Sequence, residues 1–237
     1  MKVVILAGGL GTRLSEETKL IPKPMVKIGN KPIILHIMNI YRNFGYNDFI
    51  IASGYKSTII EKFFLKKKFK GLNIEVINTG KFSLTGHRVF RLKKYLNKEP
   101  FMLTYGDGVS NVNINKLIKN HKKERKIATI TIVRPPARWG AVKIKNNNVK
   151  KFEEKNNKNE GWVNGGFMVF EPDIFKYFNK KIDCILERDV FNLLIKKKKL
   201  SAYKHKDFWQ PMDTLREKNI LNKMWKSNKA PWKYKNT

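Results

Sequence analysis

The sequence predicts an α/β protein with a mostly parallel sheet and helices on both faces. Strand-like and helix-like segments alternate through the first 135 of the 237 residues. Alternation of this kind is typical of parallel sheets covered by helices. The apolar fraction of 41% is ordinary for a globular chain. In such sheets, ligands bind beyond the carboxyl ends of the strands, so we look there for candidate residues.

The elements of the first half follow one another through short connections. Short apolar runs predict strands, and apolar residues at three- or four-residue spacing predict helices. We predict strands at 2–7, 48–53, 73–78 and 127–135, an apolar strand that ends in an exposed turn at 101–108, and helices at 31–45, 57–68, 85–96 and 113–124. Ser57 or Thr58 is expected to cap the second of these helices.

The pattern changes after about residue 138. Two strand-like runs around an asparagine-rich turn at 139–155 predict a hairpin. Beyond it we predict a strand at 161–170, a helix at 187–199, a strand at 200–205 and a helix at 214–226. Because no linker separates the two parts, we predict one domain over residues 1–237, in which residues from about 136 onward add a second half to the first 135.

The net charge of +31 allows three kinds of anionic partner: nucleic acid, membrane lipid and phosphate-bearing small molecules. The lysines are spread along the chain, and no basic stripe interleaved with aromatic residues appears, so a nucleic-acid binder is disfavoured. No apolar run reaches the roughly 20 residues that span a bilayer. Cys184 is the only cysteine, which excludes a disulfide within the chain. We therefore expect a cytoplasmic protein without a nucleic-acid or membrane partner.

A glycine-rich loop follows the first strand in LAGGLGTR, residues 6–13. Glycines allow backbone N–H groups to approach phosphates, although a simple turn explains them equally well. Arg13 favours the phosphate interpretation, since a guanidinium grips phosphate oxygens with two hydrogen bonds. Lys23 stands between Pro22 and Pro24, which restrict the backbone on both sides of it. A lysine on stiffened backbone suggests that its position matters.

Two aspartates stand where they could hold a cation. Asp107 lies between glycines in YGDG after an apolar strand, which suits either a turn or an Mg²⁺ ligand. Asp213 precedes the last predicted helix, where it could cap that helix or reach the same metal ion. The sequence does not show that the two carboxylates converge.

Two further segments offer polar groups to a sugar. In FEEK, residues 152–155, a carboxylate could accept hydrogen bonds from hydroxyl groups or belong to a solvated charge cluster. In VNGG, residues 163–166, small residues after an amide suit close ligand approach or a β-bulge.

Taken together, LAGGLGTRL, PKPM, GD after a strand, F-x-E-K and NGG resemble the sugar-1-phosphate nucleotidyltransferase family, in the same order over nearly the whole chain. The blocks LSEET, TYGDGVS, VRPPARWGA, NGGF, WQPMDTLR and KAPWK resemble its glucose-1-phosphate cytidylyltransferase branch. Asn156 departs from the pattern, since the family usually has proline there. Asn111 and Asn113 also depart from it, since acidic residues are expected at those positions.

The resemblance implies a Rossmann-like three-layer α/β/α fold with a mixed, mostly parallel central sheet and a small sugar-binding lobe. Residues 1–135 would be the nucleotide-binding half, and residues 136–237 the sugar-phosphate half with the last helices. It implies that CTP and α-D-glucose 1-phosphate give CDP-glucose and pyrophosphate with Mg²⁺, in a homo-oligomer. A related transferase with another nucleotide or sugar phosphate, and a non-catalytic nucleotide-sugar sensor, are the alternatives.

The resemblance also assigns residues to roles. Arg13, Lys23, Asp107 and Asp213 would be catalytic, and the two aspartates would bind the metal. The expected nucleotide-binding residues are Leu6, Gly8, Gly9, Gly11, Thr12, Arg13, Thr79, Arg88 and Gly106. Thr79 and Arg88 belong to the segment 78–88, which occupies the region that reads the base in relatives. The expected sugar-phosphate residues are Lys23, Glu154, Lys155, Asn164 and Gly165.

Overall fold

The computed structural model describes residues 1–67, 69–135, 141–153, 161–179 and 183–234. The strands are β1 (Val3–Ala7), β2 (Lys27–Ile28), β3 (Lys31–Pro32), β4 (Asp48–Ser53), β5 (Asn73–Asn78), β6 (Phe101–Tyr105), β7 (Gly108–Ser110), β8 (Ala128–Val133), β9 (Ala141–Lys145), β10 (Asn148–Glu153), β11 (Val163–Phe170), β12 (Leu200–Lys204) and β13 (Trp209–Pro211). The α-helices are α1 (Ser15–Thr18), α2 (Ile33–Arg42), α3 (Ser57–Lys66), α4 (Thr85–Phe90), α5 (Lys93–Leu96), α6 (Ile114–Glu124), α7 (Phe191–Lys196) and α8 (Leu215–Lys226). Short 3₁₀ turns cover Thr12–Leu14, Lys23–Met25 and Pro172–Tyr177, and a π-helical turn covers Leu186–Val190.

Seven strands form the central sheet in the order β12-β8-β11-β6-β1-β4-β5. Strand β11 runs antiparallel to both of its neighbours, while the other four pairings are parallel. The predicted mixed, mostly parallel sheet is therefore confirmed. Strands from both halves of the chain lie in this one sheet, and the division near residue 135 stays a prediction.

Side chains of β1 alternate between two apolar cores, one on each face of the sheet. Val3 and Ile5 pack with residues of α2, α3, α6 and α8. Val4 and Leu6 pack with residues of α4, α5 and α7. Because successive strand residues point to opposite faces, this unbroken apolar run is what a strand covered on both sides requires. The three-layer α/β/α arrangement is confirmed.

Two local details of the helices differ from prediction. The predicted cap of α3 is wrong, because Lys56 precedes the helix in a left-handed conformation (φ 52°) and no side chain caps it. The Ser57 hydroxyl instead pairs with Ser53 Oγ at 2.7 Å. The helix predicted at 85–96 divides into α4 and α5.

Asparagines shape two other parts of the fold. The predicted hairpin is confirmed as β9 paired antiparallel with β10, and its turn residues Asn146 and Asn147 have φ of 47° and 63°. Asparagine tolerates this conformation well, and two such residues form the tight turn that suits a hairpin. Asn113 caps α6, since its side chain accepts a hydrogen bond from the Lys116 amide at 2.9 Å.

None of the helices in the described ranges has the length and apolarity needed to cross a membrane.

Candidate active site

A short antiparallel ribbon brings the two candidate aspartates together. Strand β7 pairs with β13, so that Gly108 lies opposite Pro211. Asp107 precedes β7 and Asp213 follows β13, and the Met212 amide donates to the Asp107 carbonyl at 2.8 Å. The ribbon therefore holds two residues that are 106 positions apart in the chain, numbers 107 and 213, beside the carboxyl end of β6.

Lys23 lies between the two carboxylates. Its ammonium nitrogen is 2.6 Å from Asp107 Oδ2 and 2.5 Å from Asp213 Oδ1. Pro22 precedes the 3₁₀ turn that carries the lysine, Pro24 lies within that turn, and Lys23 is buried. Burial alone would lower the pKa of Lys23, but the attraction of Asp107 and Asp213 outweighs it and holds the pKa above its ordinary value. The lysine therefore stays charged.

The start of α8 fixes the Asp213 backbone without using its carboxylate. Thr214 is the N-cap residue of this helix and forms a capping box with Glu217. One Glu217 oxygen accepts from the Asp213 amide at 2.7 Å and from the Thr214 amide at 3.0 Å. Since Thr214 supplies the cap, the Asp213 side chain remains available to cations.

Arg13 contacts the outer oxygen of Asp213. Its Nη1 lies 2.6 Å from Asp213 Oδ2, and the arginine side chain is 71% exposed. An ion pair this exposed contributes little to stability, so the arginine is free to exchange the carboxylate for another anion. The structure thus brings Arg13, Lys23, Asp107 and Asp213 into one cluster.

This cluster borders a pocket of about 530 Å³ beyond the carboxyl ends of β1 and β6. The glycine loop forms one wall, and residues 81–85 form part of another. Of the predicted nucleotide-binding residues, those that line the pocket are Leu6, Gly8, Gly9, Gly11, Thr12, Arg13, Arg88 and Gly106. That these residues bind a nucleotide stays a prediction.

The Arg88 side chain supports the glycine loop through a hydrogen bond to the Gly8 carbonyl. It is almost fully buried, and it donates hydrogen bonds to the carbonyls of Ser53 (2.8 Å), Gly80 (3.1 Å), Ser83 (2.8 Å) and Gly8 (3.3 Å). A side chain at Gly8 would place its Cβ 2.1 Å from Arg88 Nη1. Glycine is needed there because the guanidinium fills the space.

Thr79 lies behind the pocket wall. Its hydroxyl donates to the Ser53 carbonyl at 2.7 Å and accepts from Arg88 at 2.5 Å, and the residue is fully buried. Burial lowers the pKa of Arg88, and its hydrogen bonds to these neighbours use several of its donors. In this conformation Thr79 and Arg88 support the wall, and their predicted part in reading the base stays a prediction.

The predicted sugar-phosphate residues are only partly described. Asn164 donates to the Tyr105 hydroxyl at 3.1 Å, and its side-chain oxygen accepts from the Gly166 amide at 3.0 Å. A Cβ at Gly165 would lie 2.8 Å from Val133 Cγ1, so the strand packs closely there, beside a register shift between Asn164 and Met168. The predicted residues Glu154 and Lys155 lie outside the described residues.

Tyr105 and Glu187 form a link that sequence reasoning missed. Tyr105 donates a hydrogen bond to one Glu187 oxygen, and Thr85 donates to the other at 2.7 Å. Burial and the nearby carboxylate of Glu187 raise the pKa of Tyr105 well above its ordinary value, so the phenol stays protonated. The YGDG motif contains one signal for Tyr105, an aromatic residue at the end of β6 directly before Gly106. Glu187 had no local signal.

The aspartate pair suits one divalent cation. Both carboxylates already face one cationic nitrogen, so they can face one metal ion in its place. No group of three or more histidine, cysteine or acidic side chains able to hold a metal occurs among the described residues. Mg²⁺ commonly takes one or two carboxylates and completes its coordination shell with water and substrate phosphates. The pair of aspartates fits that coordination preference.

Comparisons with known proteins agree with the geometry. The family model described as "Nucleotidyl transferase" matches residues 2–217. Glucose-1-phosphate cytidylyltransferases of Salmonella typhimurium and Salmonella typhi are each 41% identical over 98% of this chain and 99% of their own. A solved UDP-glucose pyrophosphorylase in complex with UDP-glucose shares the fold, with a TM-score of 0.74 and 18% identity over 96% of this chain and 98% of its own.

The predicted Rossmann-like fold is confirmed by this structural likeness. The family match covers the glycine loop, Lys23, Asp107 and Asp213 alike. The chain therefore belongs to the nucleotidyl transferase family.

Proposed function

We propose that this enzyme transfers CMP from CTP to α-D-glucose 1-phosphate, giving CDP-glucose and pyrophosphate with the help of Mg²⁺. The observation that carries the chemistry is the convergence of Lys23, Asp107 and Asp213 beside a glycine-walled pocket. The choice of CTP and glucose 1-phosphate is supported by relatives of that name at 41% identity.

The reaction is an in-line displacement at phosphorus. An anionic oxygen of the sugar phosphate forms a bond to the α-phosphorus of CTP, and the bond from that phosphorus to the oxygen bridging to the β-phosphate breaks. The departing pyrophosphate keeps the electron pair. Because the nucleophile is already anionic, the protein needs no general base, and its task is to position two anions and neutralise their charge.

Lys23 and Arg13 are the groups that meet those anions. Lys23 would exchange its two carboxylates for phosphate oxygens of the sugar phosphate and hold them against the α-phosphorus. Arg13, which is exposed at the pocket edge, would steady the nucleotide phosphates as pyrophosphate leaves. The backbone of the glycine loop offers N–H groups to the same phosphates.

Asp107 and Asp213 would hold Mg²⁺. A bound Mg²⁺ supplies positive charge that stabilises the α-phosphate as negative charge develops there. The capping box at α8 and the β7–β13 ribbon fix the backbone near the two carboxylates, which supports this proposed role.

One assay tests the proposal. The protein is incubated with Mg²⁺, each nucleoside triphosphate in turn and a panel of sugar 1-phosphates, and both pyrophosphate and nucleotide-sugar are measured. We expect both products with CTP and glucose 1-phosphate. Release with dTTP, UTP or GTP but not CTP would overturn the choice of base and leave a related transferase. No release with any pair would favour a nucleotide-sugar sensor.

A pair of variants connects the assay to the cluster. Asp107→Asn should lower turnover by about 100-fold or more, because charge stabilisation is usually the largest single contribution. Asp173→Asn is the matched control, since Asp173 pairs with Lys176 on the exposed surface and should keep normal turnover. We also propose a homo-oligomer, which analytical ultracentrifugation tests directly.

A further inference from the structure

Three exposed apolar side chains line the pocket. Leu10, Phe82 and Leu84 are 46%, 73% and 40% exposed. A folded chain usually hides large apolar groups, and a cluster of them at a concave surface commonly marks a binding site. The pocket thus has an apolar part, formed by these three residues, and a charged part, formed by Arg13, Lys23 and Asp107.

The turn that carries Phe82 is held firmly at both ends. Arg88 donates to the carbonyls of Gly80 and Ser83, which flank the Lys81–Phe82 tip. The Ser83 hydroxyl donates to the Thr79 carbonyl at 2.6 Å. Gly80 has a φ of 95°, which glycine adopts at little cost. The ring is therefore presented at the pocket by a braced turn.

The glycine loop leaves space at Gly9, which lines the same pocket as Phe82. A Cβ at Gly9 would meet no atom within 4 Å, so this part of the glycine loop borders open space. Lys81 Nζ lies 4.9 Å from the centroid of the Phe82 ring and adds positive charge to the same rim. A nucleotide has the matching division, with a flat aromatic base at one end and phosphates at the other.

We propose that Phe82, flanked by Leu10 and Leu84, stacks on the nucleobase and supplies affinity for the nucleotide without choosing among bases. The proposal rests on the proposed function only in taking a nucleoside triphosphate as the ligand of this pocket. Stacking of a base on an aromatic side chain is tolerant of base identity, because every base has a π-face. Loss of one such contact weakens binding by about 5- to 150-fold.

The test compares Phe82→Ala with the intact protein by calorimetry, with CTP, UTP and inorganic tripolyphosphate as probes in the presence of Mg²⁺. We expect Kd to rise by about 5-fold or more, and by similar factors, for CTP and UTP, and to change less than twofold for tripolyphosphate. The KM for the nucleotide should rise with kcat nearly unchanged. Phe82→Trp should keep the affinity and show fluorescence quenching when CTP binds. Leu65→Ala is the control, since Leu65 is 84% exposed on α3 and does not line this pocket.

Unchanged CTP affinity in Phe82→Ala would overturn the proposal, and so would an equal loss of tripolyphosphate affinity. Failure of the proposed function looks different. A protein that binds CTP through Phe82 but transfers nothing to glucose 1-phosphate would refute the reaction and leave the stacking contact in place.

Discussion

Replacing Lys23 by methionine tests the central cluster in two ways at once. The change keeps most of the side chain, which becomes one heavy atom shorter, and removes an ammonium that lies 2.6 Å from Asp107 and 2.5 Å from Asp213. Removing one partner of a buried ion pair typically costs about 3–5 kcal/mol, because the remaining charge is left uncompensated. Here the aspartate side chains keep 29% and 14% exposure, and Arg13 still contacts Asp213. We therefore expect the lower end, about 3 kcal/mol.

The assay is thermal unfolding with and without Mg²⁺, together with turnover. For a chain of this size, about 1 kcal/mol shifts Tm by about 2–4 °C, so Lys23→Met should melt about 6–12 °C lower in the absence of metal. Millimolar Mg²⁺ should recover part of that loss and should stabilise the variant more than the intact protein, because the ammonium no longer competes for the carboxylates. Turnover should fall by about 100-fold or more even with Mg²⁺ present.

Two outcomes would refute this reasoning. A folded Lys23→Met protein with near-normal turnover would show that the lysine has no part in catalysis. An unchanged Tm, or equal stabilisation by Mg²⁺ in both proteins, would show that the lysine and the metal do not share the aspartates. Lys176→Met is the matched control, since it removes a lysine from the exposed pair with Asp173 and should leave Tm and turnover unaltered.

Three further predictions concern Asp107, Gly8 and His36. Asp107→Asn should make the remaining activity much less responsive to Mg²⁺, which titration of turnover against the metal measures. Gly8→Ala should lower the free energy of unfolding by about 1–3 kcal/mol, because its Cβ collides with the braced guanidinium of Arg88, and chemical denaturation measures this loss. His36 is held between the Ile28 carbonyl and the Trp232 indole, and burial lowers its pKa to about 4. Its folded pKa lies below the unfolded one, so as pH falls from about 6.5 to 4 the unfolding free energy should drop by about 3 kcal/mol more in the intact protein than in His36→Gln.

Each of these three predictions has a control or a result that would contradict it. An unchanged metal dependence in Asp107→Asn would exclude that carboxylate as a ligand. Gly9→Ala should leave stability unaltered, since its Cβ meets open space, and an equal loss at both glycines would point to the loop backbone rather than to Arg88. Parallel pH curves for the intact protein and His36→Gln would show that this histidine is not the group that titrates.

The sequence predicted the layered fold because its signals are local and strong. An apolar run such as 3–7 identifies a strand covered on both faces. Helices of ten or more residues are long enough for their apolar residues to show the helical period. The β7–β13 ribbon gave no such signal, because three-residue strands are too short to show alternation. The meeting of Asp107 and Asp213 depends on that ribbon, so it could not be foreseen from either segment alone.

The sequence around the start of α8 contains a signal that distinguishes the two candidate N-cap residues. Asp213 and Thr214 are both good N-cap residues, and the sequence alone places either one at the helix start. Glu217 stands three residues after Thr214, which is the spacing of a capping box. That spacing favours Thr214 as the cap and leaves the Asp213 carboxylate free. By contrast, the bracing of Gly8 by Arg88 joins residues 80 positions apart, and no local pattern indicates it.

The charge balance within the cluster bears on how the proposed reaction begins. Arg13 and Lys23 carry two positive charges, and Asp107 and Asp213 carry two negative charges, so the four groups sum to zero as the structure has them. The net charge of +31 therefore does not reside in the site itself. Charges elsewhere on the surface are screened over about 10 Å by salt, and they attract anions only diffusely. A divalent cation on the aspartates would raise the local sum to +2 and release the ammonium and the guanidinium toward phosphate oxygens. Two mutually repelling anionic substrates need positive charge at this point. If Asp107 and Asp213 held a divalent cation, Lys23 and Arg13 would be free to turn their positive charges toward the phosphate oxygens.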